Sequence, residues 1–177
     1  MIIDKIVIAA AVIISYFIQA SVEFFKLGEI KPDFLLILTV FFGIFRGDFT
    51  GLWIGFFGGL LQDMNIGGLD VYEGGKAQYF LGIHALPKTI IGYITGKLAK
   101  GINKDSNFII FIIILSLSLL KGFLIFFLVA IFHGNIAAKA LFTIALPEAI
   151  YNAVIGIFWF RMLKWAIPHI DIEVKQF

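Results

Sequence analysis

Long runs of apolar residues, rather than alternating apolar and polar positions, dominate the pattern of this chain. Residues 108–120 are apolar except for two serines, and they leave no polar face on any regular element. A transmembrane β-barrel would show alternation, with apolar side chains outward and polar ones inward. The runs instead predict membrane-spanning helices, because only helices and closed barrels satisfy the backbone hydrogen bonds in lipid.

A bilayer crossing needs about 20 apolar residues, and six segments are candidates. Their ranges are 6–25, 33–46, 48–63, 80–97, 107–132 and 141–165. They use most of the chain, so residues 1–177 form one predicted transmembrane domain, an all-α bundle of six helices. The longest connection, 64–79, leaves no room for a soluble domain on either side.

The second predicted span, 33–46, would reach about 21 Å at 1.5 Å per residue, which is less than the ~30 Å hydrocarbon core. Only Arg46-Gly47-Asp48 interrupts the apolar stretch from Pro32 to Gln62. Spans two and three are therefore either a tight hairpin of short spans or one re-entrant hairpin. A single long tilted helix is a further alternative, and it would move the C-terminus to the opposite side.

Composition supports a membrane protein. Hydrophobic residues make up 60% of the chain and charged residues 15%, against roughly 45–50% and about 25% in soluble domains. This balance excludes a soluble enzyme, a nucleic-acid-binding domain and a disordered chain. The net charge of +2 gives no reason to expect nucleic acid, and the absence of cysteine excludes disulfides and thiolate metal sites.

The distribution of basic residues predicts the orientation. With six spans, one side holds Lys5, Arg46, Lys97, Lys100, Lys104, Arg161, Lys164 and Lys175, and the other holds Lys26, Lys31, Lys76 and Lys139. The positive-inside rule then places both termini in the cytoplasm. No small-residue cleavage site follows the first apolar run, so span one is expected to remain as an anchor.

Glycines recur at helical spacing in two predicted spans. Gly51, Gly55 and Gly59 form a ridge on span three, and Gly92 and Gly96 form a similar face on span four. Small residues at four-residue spacing let helix backbones approach closely. These faces indicate either helix packing within the chain or packing against a partner helix, and the two roles can coexist.

Charged residues inside the predicted spans form the second pattern. Lys88 and Glu148 each lie about eight residues, or about 12 Å, from the outer ends of spans four and six, so we expect them to approach one another directly or through water. Asn152 should share the face of Glu148. Lys121, near the middle of span five, needs a partner from another helix or another protein. The alternatives are a structural polar clamp and a ligand or partner contact; no acid or histidine chain continues inward as a proton relay would require.

Signatures of catalysis are missing from the sequence. It contains no Gly-x-Ser-x-Gly elbow and no His-Glu-x-x-His motif. The three histidines are scattered among loops and span ends, which disfavours a shared metal site. We therefore expect no enzyme, no catalytic residue, no metal and no cofactor.

An ordered set of short motifs resembles the rod shape-determining protein MreD family over residues 31–165. The first motif is Pro32-Asp33 at the start of a short span, and the second begins with Gly55-Phe56 and ends at Asp63. The third is Leu81-Gly82-Ile83-His84, and the fourth is Leu146-Pro147-Glu148 followed by Asn152. Pro32, Asp33, Asp63, Gly82 and Pro147 are the positions carried by the resemblance. The stretch Asp70–Tyr79 is longer than the family pattern leads us to expect.

The resemblance implies a non-enzymatic component of the bacterial inner membrane that acts in cell elongation. Family members work with MreC, and through it with MreB filaments and the pair of a SEDS glycosyltransferase and a class B penicillin-binding protein that makes peptidoglycan. It also implies a bundle similar to the substrate-binding subunit of energy-coupling-factor transporters. The resulting hypothesis is that the transmembrane helix of MreC packs, within the membrane, against the glycine faces of spans three and four.

The main alternative is a vitamin-binding subunit of such a transporter. It would need an outward cavity, which Lys88, Glu148, Asn152 and the 64–79 loop could line. Span one offers Ala11 and Ser15 in place of the Ala-x-x-x-Ala pattern that such subunits use for docking. A third class, an enzyme acting on lipid-linked precursors, would need acids or histidines clustered at one depth in the membrane, and we find one acid there.

Overall fold

The computed structural model of the chain describes residues 2–21, 27, 30–65, 81–133 and 141–167. Within these ranges the chain forms six α-helices, and the pairing of Leu27 with Ile30 is an isolated bridge. The helices are α1 (Ile2–Ser21), α2 (Phe34–Arg46), α3 (Asp48–Asn65), α4 (Ala85–Leu98), α5 (Asn107–His133) and α6 (Leu146–Ala166). A π-helical turn, Leu141–Ala145, leads directly into α6. The predicted all-helical fold class is confirmed over these ranges.

The short helix α2 forms the centre of the fold. Every residue from Phe34 to Phe45 is buried. A helix that is apolar on all sides is stable only where other elements surround it, and α1, α3, α4 and α6 all pack against α2. The ring of Phe41, for example, lies 4.9 Å from the ring of Phe160 in α6. The 13 residues of α2 extend about 20 Å.

Helices α2 and α3 are separate helices joined at Gly47. This residue has a φ of +87°, a left-handed conformation that glycine adopts without the steric cost paid by other residues. The turn sends α3 back along α2, where Gly51 lies close to Gly43. The alternative of one long helix through residues 32–62 is therefore wrong, and a hairpin of two short helices is formed.

Among the described residues, two helices are long and apolar enough to cross a membrane: Asn107–Ile131 in α5, and Leu141–Ala166, which joins the π turn to α6. The stretches Lys5–Ala20 and Phe34–Arg46 are apolar but shorter. Large apolar side chains also lie on the surface, where Phe108 and Phe158 are 73% and 72% exposed. Such a surface suits contact with lipid. Six crossings, a single transmembrane domain and cytoplasmic termini remain predictions.

The helix boundaries differ from the predicted spans mainly at α4, which begins at Ala85 and not at residue 80. Residues 81–84 form turns, and Gly82 has a φ of +106°. That backbone conformation ends any regular helix, so a span drawn from hydropathy alone began too early. Most of the predicted 64–79 loop lies outside the described residues.

Candidate functional site

Asp33 lies at the beginning of α2, where the chain enters the core. Its carboxylate caps the helix, because Oδ1 accepts a hydrogen bond from the Leu36 N–H at 2.9 Å. A cap of this kind satisfies one of the N–H groups that a helix start leaves unpaired. Asp33 is only 2% exposed, and Pro32 before it is also buried. A carboxylate so far from solvent needs cationic partners as well.

Two lysines supply those cations from different helices. The ammonium of Lys88, in α4, lies 2.7 Å from Asp33 Oδ1, and that of Lys121, in α5, lies 2.9 Å from Oδ2. Each carboxylate oxygen therefore accepts a charge-assisted hydrogen bond from one lysine. The two side chains are 0% and 3% exposed. Lys88 and Lys121, the two lysines predicted to lie inside the spans, thus share Asp33 as a counter-ion.

Each lysine also binds a second acceptor. Lys121 donates to Glu148 Oε1 of α6 at 2.5 Å, and Lys88 donates to Gln62 Oε1 of α3. Glu148 is the most accessible charged residue of the group, with 21% of its side chain exposed. An ammonium has three N–H donors and no acceptor, so each lysine has at least two of its donors satisfied by this chain.

Asn152 connects the same network to the backbone of α2. Its Oδ1 accepts a hydrogen bond from the Asp33 N–H at 2.7 Å, and its Nδ2 donates to Ser118 Oγ of α5 at 3.4 Å. Asn152 is fully buried. With this contact, a single hydrogen-bonded network, here called the Asp33 network, links helices α2, α3, α4, α5 and α6.

All members of the predicted polar cluster belong to the Asp33 network: Lys88, Lys121, Glu148 and Asn152. The expected approach of Lys88 to Glu148 is indirect, since Asp33 and Lys121 connect them. Sequence reasoning assigned Asp33 only to a family motif and did not identify it as the counter-ion. The signal was available, because two buried lysines require two acids and Asp33 directly precedes the apolar run of α2.

The charges of the Asp33 network balance. Two ammonium groups face two carboxylates, so the network has no net formal charge. Dehydrating four charges costs an amount comparable to their mutual attraction, and such a network therefore adds little net stability. Loss of one member is strongly destabilising, because it leaves a buried charge without a partner. The Asp33 network thus connects five helices, as the predicted structural polar clamp requires.

Asp63, another residue of the family motifs, caps the start of α4 from the end of α3. Its carboxylate accepts hydrogen bonds from the backbone N–H groups of Gly82, His84 and Ala85, at 2.8, 2.9 and 3.2 Å. A negative charge is favourable at this end of a helix because of the helix dipole. Gly82 provides the left-handed turn that aims these N–H groups at one side chain. The two motif residues therefore act together.

The two glycine faces pack against each other. A Cβ atom built on Gly51 or Gly55 would lie closer than 3.0 Å to the backbone of Gly92 or Lys88, a separation that real Cβ atoms essentially never show. Gly59 meets the backbone of Ala85 in the same way, and Gly96 meets that of Asp48. Helices α3 and α4 are thus in backbone contact along both predicted faces. This arrangement is the internal packing alternative, and it leaves no open surface at these glycines for a partner helix.

Pro147 lies at the junction between the π turn and α6, at the beginning of the α-helical part. Proline has no N–H to donate, so it interrupts the helical hydrogen bonds at the point where the π turn meets α6. The change from π to α geometry occurs immediately before it. Glu148 follows directly, so this junction sets the level at which its carboxylate meets Lys121.

Within the described ranges, no three histidine, aspartate or glutamate side chains come together as possible metal ligands. In a comparison with protein families, the model described as rod shape-determining protein MreD matches residues 1–166 of the chain. No curated protein and no solved structure matches the chain.

Proposed function

The chain belongs to the rod shape-determining protein MreD family, and from this premise we propose that it is a non-enzymatic, multi-pass scaffold of the bacterial inner membrane. Membership in the family indicates a role in rod shape determination. In the proposal the helical bundle binds the transmembrane helix of MreC. Through MreC it is linked to MreB and to the SEDS glycosyltransferase and class B penicillin-binding protein that synthesise peptidoglycan.

The pairing of the charged groups within the Asp33 network is the observation that carries the scaffold proposal. Its charged groups bind one another, and Lys88 and Asn152 are both 0% exposed. A vitamin-binding subunit would need these polar groups to line an open cavity, as the alternative hypothesis required. A scaffold needs fixed helix positions, and a clamp across five helices supports that role.

The glycine faces are proposed to contribute to partner binding indirectly. They hold α3 and α4 in backbone contact, and this contact shapes the apolar outer surface on which a partner helix could pack. Helices in lipid associate by close packing and polar contacts and not by a hydrophobic driving force. A well-defined outer surface is therefore a requirement for a specific partner.

Affinity purification of the tagged full-length chain from its native membrane tests this function. We expect MreC among the recovered proteins. Recovery of an ATPase-containing transporter complex in its place would overturn the proposal. Gly55→Ala tests the indirect role of the glycines: it should reduce MreC recovery and thermal stability together, whereas loss of MreC with unchanged stability would indicate direct contact.

A further inference from the structure

Glu148 is the point at which the Asp33 network reaches the surface of the bundle. Its side chain is partly exposed, whereas those of Asp33 and Lys121 are buried. Its Oε1 accepts the hydrogen bond from Lys121, and among the described residues no group donates to its Oε2. Oε2 is also not enclosed by the protein. This oxygen therefore offers its lone pairs to a donor that the described chain does not supply.

This carboxylate lies at the level of the lipid chains in the proposed scaffold. Glu148 is seven residues, or about 10 Å, from the start of the apolar stretch Leu141–Ala166. Lys121, which binds its Oε1, is ten residues, or about 15 Å, from the nearer end of Asn107–Ile131. Headgroups and water lie at the ends of such stretches. A hydrogen-bond acceptor at this level needs a donor from another helix, because polar groups within a bilayer find their partners across helix interfaces.

The charge balance of the Asp33 network identifies the kind of donor. Its two lysines and two carboxylates already neutralise one another. A further cation beside Glu148 would give the group a net positive charge, which is costly within a bilayer. An uncharged donor, a hydroxyl or an amide, binds Oε2 without this cost. The ammonium groups of lipid headgroups are cations and lie nearer the membrane surface, so a helix that carries the donor is favoured over a lipid.

The helix face that carries Glu148 is open on the side of the preceding turn. Ile144 lies four residues before Glu148, so the two residues share a face, and Ile144 is 52% exposed. A helix that reaches Oε2 therefore contacts Ile144 as well. We infer that Glu148 is the docking point for a transmembrane helix that presents an uncharged hydrogen-bond donor, a hydroxyl or amide side chain. The inference rests on the proposed function and adds the chemistry by which the partner helix is recognised.

Photo-crosslinking of the full-length chain in its native membrane tests this docking point. A benzophenone amino acid replaces Ile144 or, as the matched control, Ile150, which is 48% exposed and lies on the side of α6 opposite Glu148. We expect MreC to be crosslinked from position 144 and much less from position 150. Glu148→Gln should reduce crosslinking from position 144 about tenfold, the effect of one hydrogen bond between helices in lipid. The amide oxygen of the glutamine takes the place of Oε1 beside Lys121, so an N–H2 group replaces the open acceptor.

The partner side of the contact separates docking from a general loss of stability. The crosslinked peptide locates the MreC residues that face Ile144, and replacing the hydroxyl or amide side chain among them with alanine should also weaken crosslinking about tenfold. Combined with Glu148→Gln, the same replacement should cause little further loss, because both changes remove one hydrogen bond. Losses that add independently would indicate destabilisation and reject the contact.

The proposed function and the docking point fail in different ways. If MreC co-purifies with the wild-type chain but does not crosslink at position 144, the docking point is wrong and the proposed function stands. If a different membrane protein crosslinks there with the same dependence on Glu148 and on a hydroxyl or amide of its own, the docking point stands and MreC is the wrong partner.

Other results would also overturn the inference. Equal crosslinking from both positions, or lipid alone as the product at position 144, would place no partner helix at Glu148. A lysine or arginine as the only donor near the crosslink would contradict the uncharged contact. Circular dichroism checks the fold of each variant. If Glu148→Gln does not fold, the mapped residues of the partner decide, and the absence of a hydroxyl or amide among them rejects the docking point.

Discussion

Replacing Asp33 with asparagine removes one charge from the centre of the bundle and keeps the helix cap, because asparagine caps helices about as well as aspartate. Lys121 retains Glu148 as a counter-ion in this variant. Lys88 retains only uncharged acceptors, the amide oxygen of Gln62 and the amide oxygen of the substituted side chain, whose N–H2 group then faces Lys121. The main effect of the variant is therefore a buried Lys88 ammonium that has lost its carboxylate.

Removing one partner of a buried ion pair typically costs about 3–5 kcal/mol. We expect Asp33→Asn to lower the free energy of unfolding by an amount in this range, because the Lys88 side chain is 0% exposed and its charge is left in the core without a carboxylate. Exposed ion pairs contribute far less. Asp48→Asn, which breaks the exposed pair with Lys97, is the matched control and should change stability little.

A second substitution distinguishes this explanation from a general loss of packing. Lys88→Met in the Asp33→Asn background removes the unpaired ammonium, and methionine has a similar length and no charge. It should recover most of the lost stability, since Lys121 and Glu148 still form a neutral pair. Lys121→Met in the same background should recover none, because Lys88 stays without a carboxylate and Glu148 loses its lysine.

Unfolding of the purified protein in mixed micelles, with increasing sodium dodecyl sulfate and circular dichroism as the signal, measures these differences. The expected order of stability is wild type, then Asp33→Asn with Lys88→Met, then Asp33→Asn, then Asp33→Asn with Lys121→Met. The reasoning is refuted if Asp33→Asn is as stable as Asp48→Asn, or if both double variants recover equally.

Three further substitutions test other contacts. Gly55→Ala should destabilise the protein by about 1–3 kcal/mol in the same assay, because the added Cβ would overlap the backbone of α4. Gly58→Ala is the control and should be tolerated, because its Cβ would meet only a leucine side chain at 3.4 Å. Asp63→Ala should cost about 1–2 kcal/mol as a lost cap, with faster hydrogen exchange at the start of α4; unchanged exchange would contradict the capping role. The hydrogen bond from Lys164 lowers the pKa of Asp105, so this contact stabilises the folded protein above the usual aspartate pKa. Its contribution is measured as the difference in Tm between wild type and Asp105→Asn, and this difference should disappear as the pH falls below about 4. A Tm difference that grows on acidification would contradict the prediction.

Hydropathy predicted the helices well where apolar runs are long, and less well where a single residue decides the boundary. The run at 107–132 corresponds to α5, Asn107–His133, almost residue for residue. The start of α4 was placed too early, because Gly82 is compatible with an apolar run but its left-handed conformation is not compatible with a helix. Hydropathy averaged over neighbouring residues contains no information on such a turn.

The candidate site was predicted in part for a similar reason. The insertion cost of a charge identified Lys88 and Lys121 as residues that need partners. It did not identify Asp33, because an acid at the end of a predicted span is also compatible with exposure to water. The glycine spacing identified the close-packed faces but not the helix that packs against each of them. A face of regularly spaced glycines fits a helix of the same chain as well as a helix of a partner protein.

The central helix explains why the bundle needs the Asp33 network. Apolar packing is not directional, so the burial of Phe34–Phe45 does not by itself fix the position of this short helix along its axis. Asp33 supplies that constraint: its carboxylate binds two lysines and its N–H binds Asn152, at one end of α2 only. A shift of α2 along its axis would break all three contacts at once, whereas a shift in an apolar core exchanges one set of contacts for another. The buried charges thus fix the register of α2, and the surface offered to a partner inherits that register.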